Sequence, residues 1–325
     1  MNHEMTMDEE SLSLRTRLLR GERRAVARLI TWAEREDVRA FQVLGSVWST
    51  LSLSTQRVIG ITGAPGSGKS TLTNALIKIH RDAGRRVGIL AVDPTSPFTG
   101  GAILGDRVRM NEFATDREVF IRSMGTRGHL GGLSRATSAA IRALKLWGAD
   151  VIFVETVGVG QSEVDIMRVC DCTLMVLVPG LGDDIQAIKA GIMEIGNIFV
   201  INKADRDGAR RTAREVNAML DLAHQTPRPP VCLVTAIEDK GIQELWSEVE
   251  LYEAQVMNDQ SERQRRTTQA KHELMSLAQR QFQIKLDTFL ATQNPSFQQM
   301  IAQGSLDPYQ ALDQLWTTLF KSEYE

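Results

Sequence analysis

The sequence of 325 residues contains little cysteine, no long apolar run and almost no net charge. Its cysteines, Cys170, Cys172 and Cys232, are odd in number and form no disulfide framework, which favours a reducing compartment. No apolar segment reaches the roughly 18 residues that a membrane-spanning helix needs. The first ten residues, MNHEMTMDEE, are acidic where a signal peptide is basic. We therefore expect a cytoplasmic protein that does not span a membrane.

The balance of charges also limits the class of partner. The chain has 38 Lys and Arg residues against 40 Asp and Glu residues, so its formal net charge is −2. Dedicated nucleic-acid binders usually carry a basic domain, and we expect no nucleic-acid partner. The content of 42% hydrophobic and 24% charged residues excludes collagen-like, mucin-like and wholly disordered chains.

The pattern of apolar residues divides the chain into three zones. Residues 1–55 carry apolar side chains at three- and four-residue steps, among them Leu18, Leu19 and Trp32, which predicts a helical extension. In residues 56–255, short and nearly continuous apolar segments alternate with intervals that can hold a helix. These segments are RVIGIT (57–62), RVGILAVD (86–93), EVFIRS (118–123), DVIFVET (150–156), CTLMVLV (172–178), NIFVIN (197–202) and PVCLVT (230–235). Such strands are typical of a mostly parallel sheet that is buried on both faces, so we predict an α/β domain.

The third zone, residues 256–325, is predicted to be helical. Leu274, Ala278, Phe282 and Leu286 recur at every fourth position. These helices either pack on the sheet or expose a stripe for self-association. We predict the second arrangement, a dimerisation arm that makes the protein a homodimer.

The segment GAPGSGKS at 63–70 follows the first predicted strand and matches the phosphate-loop pattern G-x-x-x-x-G-K-[ST]. Its glycines permit a tight turn in which backbone N–H groups converge on phosphate oxygens. The following helix directs its positive end at the same anion. Lys69 is predicted to reach the β and γ phosphates, and Ser70 to offer its hydroxyl to Mg²⁺. The predicted phosphate-binding residues are Gly63, Ala64, Pro65, Gly66, Ser67, Gly68, Lys69, Ser70 and Thr71.

The segment NKAD at 202–205 follows a later strand and indicates guanine as the base. Asp205 can accept hydrogen bonds from N1–H and the exocyclic amine of guanine, a donor pair that adenine lacks. Asn202 is predicted to tie the loop together, and Lys203 to lie over the base. The loop Thr235, Ala236 and Ile237 is placed to offer a backbone N–H to the guanine carbonyl. GTP and GDP with Mg²⁺ are therefore the predicted cofactors.

Carboxylates at the ends of two other strands are candidates for the metal and switch regions. Asp93 ends its strand at the edge where ligands bind in parallel sheets, and Asp106 follows a loop. Glu155 and Gly158 form E-x-x-G where D-x-x-G is usual, so Glu155 can hold Mg²⁺ through water and Gly158 can sense the γ-phosphate. We predict that Ser70, Asp93, Asp106 and Glu155 serve the metal. Asp106 could instead cap a helix.

The residues alone do not decide the roles of several other candidate site residues. The loop GLGDDIQAIK at 180–189, which ends at Lys189, is predicted to be a third switch. Gln161 could position the attacking water, but the sequence does not single it out. His129 is more consistent with a structural or hydrogen-bonding role. Cys170 and Cys172 could bind a metal, but a buried strand start is the better reading because no second cysteine pair exists.

Together, GAPGSGKST, AVDPTSPFTGGAILGDRVRM, RGHLGG, VETVGVGQSE, GDDIQAIKAGIMEI and INKAD resemble the MeaB/ArgK family of GTPases. The resemblance is dense over residues 10–255 and looser in the tail. It implies a P-loop GTPase domain between an N-terminal helical extension and a C-terminal dimerisation arm. It also implies a G-protein chaperone that assists assembly, cofactor loading and protection of an adenosylcobalamin-dependent acyl-CoA mutase, typically methylmalonyl-CoA mutase.

The resemblance assigns catalytic or switch roles to Lys69, Asp106, Glu155 and Lys189. Two other functions remain as alternatives. A nickel or cobalt metallochaperone GTPase is disfavoured because the chain lacks a His-rich tract and paired C-x-x-C motifs. An ATPase or kinase associated with a transport system is disfavoured because NKAD favours guanine.

Overall fold

The structure is a computed structural model of the whole chain. It describes residues 7–52, 56–93, 111–113, 115–125, 132–156, 167, 169–180, 196–223, 227–257, 260–292 and 295–321. The chain divides into two compact units, Met1–Arg263 and Gln264–Glu325. The nucleotide motifs of the sequence all belong to the first unit.

A seven-stranded sheet forms the centre of the first unit, and each strand pair in it is parallel. Its strands are β1 Arg57–Gly63, β2 Val87–Asp93, β3 Val119–Gly125, β4 Val151–Thr156, β5 Cys172–Leu177, β6 Ile198–Ile201 and β7 Val231–Leu233. Their order is β3-β2-β4-β1-β5-β6-β7. The predicted α/β class is thereby confirmed, and all seven predicted strands form.

The order of the strands places a ligand crevice beside β1. The chain builds one half of the sheet through β2, β3 and β4 and then crosses β1 to build the other half. In open parallel sheets, ligands bind outside the carboxyl ends of the strands where this direction changes. The phosphate loop follows β1 at that point.

Helices account for most of the rest of the described chain. In the first unit they are α1 Glu9–Leu19, α2 Arg23–Glu34, α3 Val38–Ser46, α4 Trp48–Ser52, α5 Lys69–Asp82, α6 Gly132–Trp147, α7 Ala209–Ala223 and α8 Ile242–Met257. Short 3₁₀ turns occupy Asn111–Phe113 and Ala236–Glu238. The remaining helices are α9 Gln260–Thr292, α10 Pro295–Ala302 and α11 Pro308–Lys321.

Apolar side chains bury both faces of the sheet. On one face α1, α2, α3 and α6 share a core with strand residues such as Leu90, Phe120 and Ile152. On the other face α5 and α8 pack on residues such as Ile61 and Phe153. A third cluster packs α7 against β5 and β6. Burial on both faces explains why the strands read as continuous apolar runs.

The N-terminal extension is helical, as its apolar spacing indicates, but it is interrupted by tight turns. Gly21 has φ 68° between α1 and α2, a left-handed conformation that glycine adopts readily. Asp8 and Asp37 cap the first turns of α1 and α3 through Ser11 N and Arg39 N. Leu19, which the sequence places on the apolar face, is exposed, because α1 ends there.

The second unit has a small core of its own. Leu306 and Ala311 are buried, and Leu286, Phe289, Leu290 and Ile301 pack around them. Other apolar side chains of this unit are exposed, including Leu274 and Ile284. Among the described residues of the whole chain, none of the helices combines the length and hydropathy needed to cross a bilayer.

Candidate nucleotide-binding site

Two glycines shape the loop between β1 and α5. Gly63 has φ 145°, and a Cβ atom there would lie 2.2 Å from the Val176 carbonyl oxygen of β5. Gly68 has φ 88°, and its Cβ would lie 2.3 Å from Asn202 Nδ2. Any other residue at either position would clash with its neighbour and strain the backbone. The loop can therefore lie against β5 and the Asn202 side chain only because these positions are glycine.

Lys69 is the first residue of α5, and it folds back over the loop. Its Nζ donates to Gly63 O at 2.8 Å and to Ala64 O at 3.0 Å, and the side chain is buried. The ammonium group therefore lies at the N-terminal end of α5, where the helix dipole is also positive. A buried cation at a helix N-terminus is a site for an anion such as a phosphate.

The carboxylate of Glu155 lies beside the start of the same helix. Ser70 Oγ donates to Glu155 Oε1 at 2.6 Å, and Thr73 Oγ1 lies 2.9 Å from Glu155 Oε2. Residue Ile61 of β1 is paired with Glu155 of β4, which brings the end of β4 next to the phosphate loop. A hydroxyl and a carboxylate in contact are oxygen ligands of the kind that Mg²⁺ prefers. The residues present therefore fit a magnesium ion.

Asn202 connects three parts of the site. Its Nδ2 donates to Ser67 O at 2.9 Å, while its Oδ1 accepts from Lys203 N at 2.8 Å and from Ala236 N at 3.2 Å. The side chain is buried, so these bonds are shielded from water. Asn202 thus holds the phosphate loop, the NKAD segment and the loop after β7 together.

Lys203 adds a second connection to the phosphate loop. It has φ 56°, and its Nζ donates to Gly66 O at 2.8 Å. Asp205, two residues further on, is exposed at the surface of the site. Its carboxylate is thus accessible to a base, as the predicted guanine contact requires.

The loop Thr235 to Ile237 offers fewer donors than the sequence suggests. Thr235 N donates to Lys240 O, and Ala236 N donates to Asn202 Oδ1. Two of the three backbone N–H groups thus have acceptors within the protein. The contact to the guanine carbonyl stays a prediction, and the backbone N–H of Ile237 is now the donor that we predict for it.

Several predicted residues lie outside the described part of the chain. They are Asp106, His129, Gly158, Gln161 and Lys189. Asp93 is the last residue of β2, at the same sheet edge as the phosphate loop, but its side chain is likewise not described. Pro65 and Thr71 lie at the loop and on α5, and both are exposed.

Two contacts were not foreseen from the sequence. Thr73 lies three residues after Ser70, on the same side of α5, a spacing that could have indicated it. Lys78, further along α5, forms an ion pair with Asp239, which follows the 3₁₀ turn. This pair joins α5 to the loop that begins at Thr235, although the two residues are far apart in sequence.

The alternative of a cysteine metal site receives no support from the described residues. Cys170 and Cys172 are buried thiols that are not joined in a disulfide bond. Nowhere in the described ranges do three or more His, Cys, Asp or Glu side chains group as metal ligands would. Cys172 instead starts β5 and packs in the core below α5.

Comparison with known proteins agrees with this geometry. The sequence profile of the methylmalonyl-CoA mutase-associated GTPase MeaB matches residues 26–289. The chain belongs to the MeaB family. It is therefore a P-loop GTPase that binds guanine nucleotides, and the resemblance seen in the motifs is confirmed.

Individual relatives extend the match over nearly the whole chain. A GTPase candidate of Pyrococcus abyssi is 45% identical over 307 residues, which cover 92% of this chain and 94% of the relative. The mouse methylmalonic aciduria type A homolog, a mitochondrial protein, is 34% identical and covers 96% of this chain and 80% of its own. The crystal structure of a LAO/AO transport system kinase has a TM-score of 0.69 at 25% identity, with 97% and 99% coverage.

Proposed function

We propose that this MeaB-family GTPase is a cytoplasmic chaperone of an adenosylcobalamin-dependent acyl-CoA mutase of the methylmalonyl-CoA mutase type. It would assist assembly of the mutase, loading of its cofactor and protection of the loaded enzyme. The observation that carries the proposal is the match of residues 26–289 to a family described as mutase-associated. The name of the mouse relative, which refers to methylmalonic aciduria, supports the same metabolic setting.

The geometry of the described residues supports the proposed contacts to the phosphates. The backbone N–H groups of residues 63–71, Lys69 and the N-terminal end of α5 bind the phosphates and stabilise the charge that grows on the γ-phosphate oxygens during hydrolysis. Asp205 recognises guanine, and Asn202 holds the base-binding and phosphate-binding loops in register. Gly158 and Lys189 belong to the proposed switch regions.

Magnesium is proposed as the metal of the site. Ser70 and Glu155 would hold it, the latter through water, and Asp93 and Asp106 are proposed for the same shell. The ion would supply positive charge that stabilises the phosphate oxygens during hydrolysis. The contact between Ser70 Oγ and Glu155 Oε1 supports this proposal because it brings a neutral and an anionic oxygen ligand to one point.

The proposed organisation has three parts. Residues 1–55 form the N-terminal extension, residues 56–255 the GTPase domain and residues 256–325 a dimerisation arm of a homodimer. Exposed apolar side chains of α9, among them Leu274 and Met275, support a role of the arm in self-association.

Cofactor loading tests the chaperone role. Purified apo-mutase is mixed with adenosylcobalamin and this protein, with GTP, with a non-hydrolysable GTP analogue or without nucleotide, and formation of holo-mutase is followed by cobalamin absorbance. We expect loading to differ between GTP and the analogue, because a chaperone of this kind couples delivery to hydrolysis. Lys69→Ala is the matched control and should abolish the difference. Loading that is the same with and without this protein and nucleotide would reject the proposal.

A further inference from the structure

Thr73 lies behind Ser70 and Glu155 of the nucleotide site and belongs to none of the sequence motifs. It is completely buried on α5, one turn after Ser70. Its hydroxyl lies 2.9 Å from Glu155 Oε2 and 2.9 Å from Lys69 O. Ser70 contacts the other oxygen of the same carboxylate, Oε1, at 2.6 Å. Each oxygen of the Glu155 carboxylate is thus paired with its own hydroxyl group from α5.

A hydroxyl group has one proton, so Thr73 can donate to only one of its two neighbours at a time. A hydrogen bond to an ionised carboxylate is about twice as strong as one to a neutral carbonyl. With Glu155 ionised, the proton of Thr73 therefore favours Glu155 Oε2 over Lys69 O. With Oε2 bonded to Thr73, the other carboxylate oxygen, Oε1, faces Ser70.

The carboxylate of a glutamate at position 155 is harder to hold in one orientation than that of an aspartate would be. The glutamate side chain has one more rotatable bond, and the last torsion, which turns the carboxylate, is broad. Fixing this longer side chain in one conformation therefore costs more rotamer freedom than fixing an aspartate. A second hydrogen bond at Oε2 fixes the plane of the carboxylate, which one bond at Oε1 alone does not do.

We propose that Thr73 is a positioning residue, which holds the Glu155 carboxylate so that Oε1 faces Ser70 and the Mg²⁺ position. The inference rests on the proposed role of Glu155 in the metal shell and adds to it the residue that orients it. Thr73 touches neither nucleotide nor metal in this account. Replacing Thr73 should therefore change how nucleotide affinity depends on Mg²⁺, but not the nucleotide affinity measured without Mg²⁺.

The test compares Thr73→Val, which removes the hydroxyl at nearly constant shape, with Thr73→Ser, which keeps it. Affinity for a fluorescent GDP analogue is measured in EDTA and across a titration of Mg²⁺. We expect Thr73→Val to raise the Mg²⁺ concentration for half-maximal effect about tenfold, the usual scale for a lost hydrogen bond to a charged group. Affinity in EDTA should stay within about twofold, which also shows that the variant is folded. Thr73→Ser should restore the parent magnesium dependence.

Glu155→Gln separates this inference from the proposal on which it rests. If Thr73 acts through Glu155, then adding Thr73→Val to Glu155→Gln should produce no further change in the Mg²⁺ midpoint. A normal midpoint in Thr73→Val together with a raised midpoint in Glu155→Gln would overturn the inference alone. A normal midpoint in Glu155→Gln would overturn both. Weaker GDP binding of Thr73→Val in EDTA, by the same factor as with Mg²⁺, would assign Thr73 a purely structural role.

Discussion

His80 lies on α5, on the side of the helix that is buried against α8 and the sheet. Its ring meets Trp246 edge-on, with 4.2 Å between centroids, and Nδ1 lies 3.2 Å from Arg85 Nη1. Because Arg85 can only donate, Nδ1 accepts and the neutral tautomer carries its proton on Nε2. Nε2 is buried and has no hydrogen-bond partner among the described residues. Burial, with the charges of Arg85 and Arg57, lowers the pKa of His80 to about 3.

Mild acid should therefore destabilise the first unit through His80. In the unfolded chain His80 has a pKa near 6.5 and takes up a proton below that pH. In the folded chain the imidazole of His80 stays neutral until about pH 3. Between pH 7.5 and pH 5, this group alone should lower the free energy of unfolding by about 2 kcal/mol. Urea unfolding at both pH values measures the loss. His80→Phe keeps a ring beside Trp246 and should lose about 2 kcal/mol less than the parent; an identical loss in both proteins would show that His80 does not titrate on unfolding.

At the same scale, the sequence identifies residues whose role follows from a linear motif. The loop motifs have fixed spacing, so the sequence alone indicates four of the candidate site residues: Lys69, Ser70, Asn202 and Asp205. Thr73 and the ion pair of Lys78 with Asp239 depend on how α5 lies against β4 and the loop after β7. Contacts of that kind arise from packing between distant segments, and no local pattern contains them.

Among elements, strands are the best predicted because burial on both faces leaves a continuous apolar signal. Strand β7 is the least regular, with only three residues, Val231–Leu233, of the six expected to be extended. In the described part of the chain β7 is the last strand of the sheet and pairs with β6. The turns in the N-terminal extension were also missed, because apolar spacing continues across Gly21.

We predict that helix α9 mediates self-association. Leu274 and Ile284 are exposed on it, whereas most apolar residues of the first unit are buried. We expect light scattering to find a dimer for the full chain and a monomer for residues 1–257. Leu274→Glu in the full chain should weaken the dimer, because a charge replaces an apolar contact.

The matched control is Leu222→Glu, at an exposed leucine on α7, which should leave the dimer intact. A dimer that persists in residues 1–257 would place self-association outside the arm.

For the whole molecule, composition and charge give the class of protein but not its partner. Family membership adds guanine nucleotide chemistry, and the family itself is described as associated with methylmalonyl-CoA mutase. The boundaries at residues 55 and 255 stay predictions. They rest on a change of apolar pattern, while α1, α2 and α3 share a continuous core with α6 and the sheet. A change of pattern marks where strands begin, but it does not show whether the helices before them pack separately.

If this protein serves a mutase and couples delivery to hydrolysis, as we propose, the mutase should in turn accelerate hydrolysis at the GTPase site. The most direct test of this expectation is the GTP turnover of the full chain with and without purified methylmalonyl-CoA mutase, with ATP as the control nucleotide and Lys69→Ala as the inactive reference. The account predicts slow turnover of GTP alone, a clear acceleration by the mutase and no comparable hydrolysis of ATP. A rate of GTP hydrolysis that the mutase leaves unchanged would contradict it.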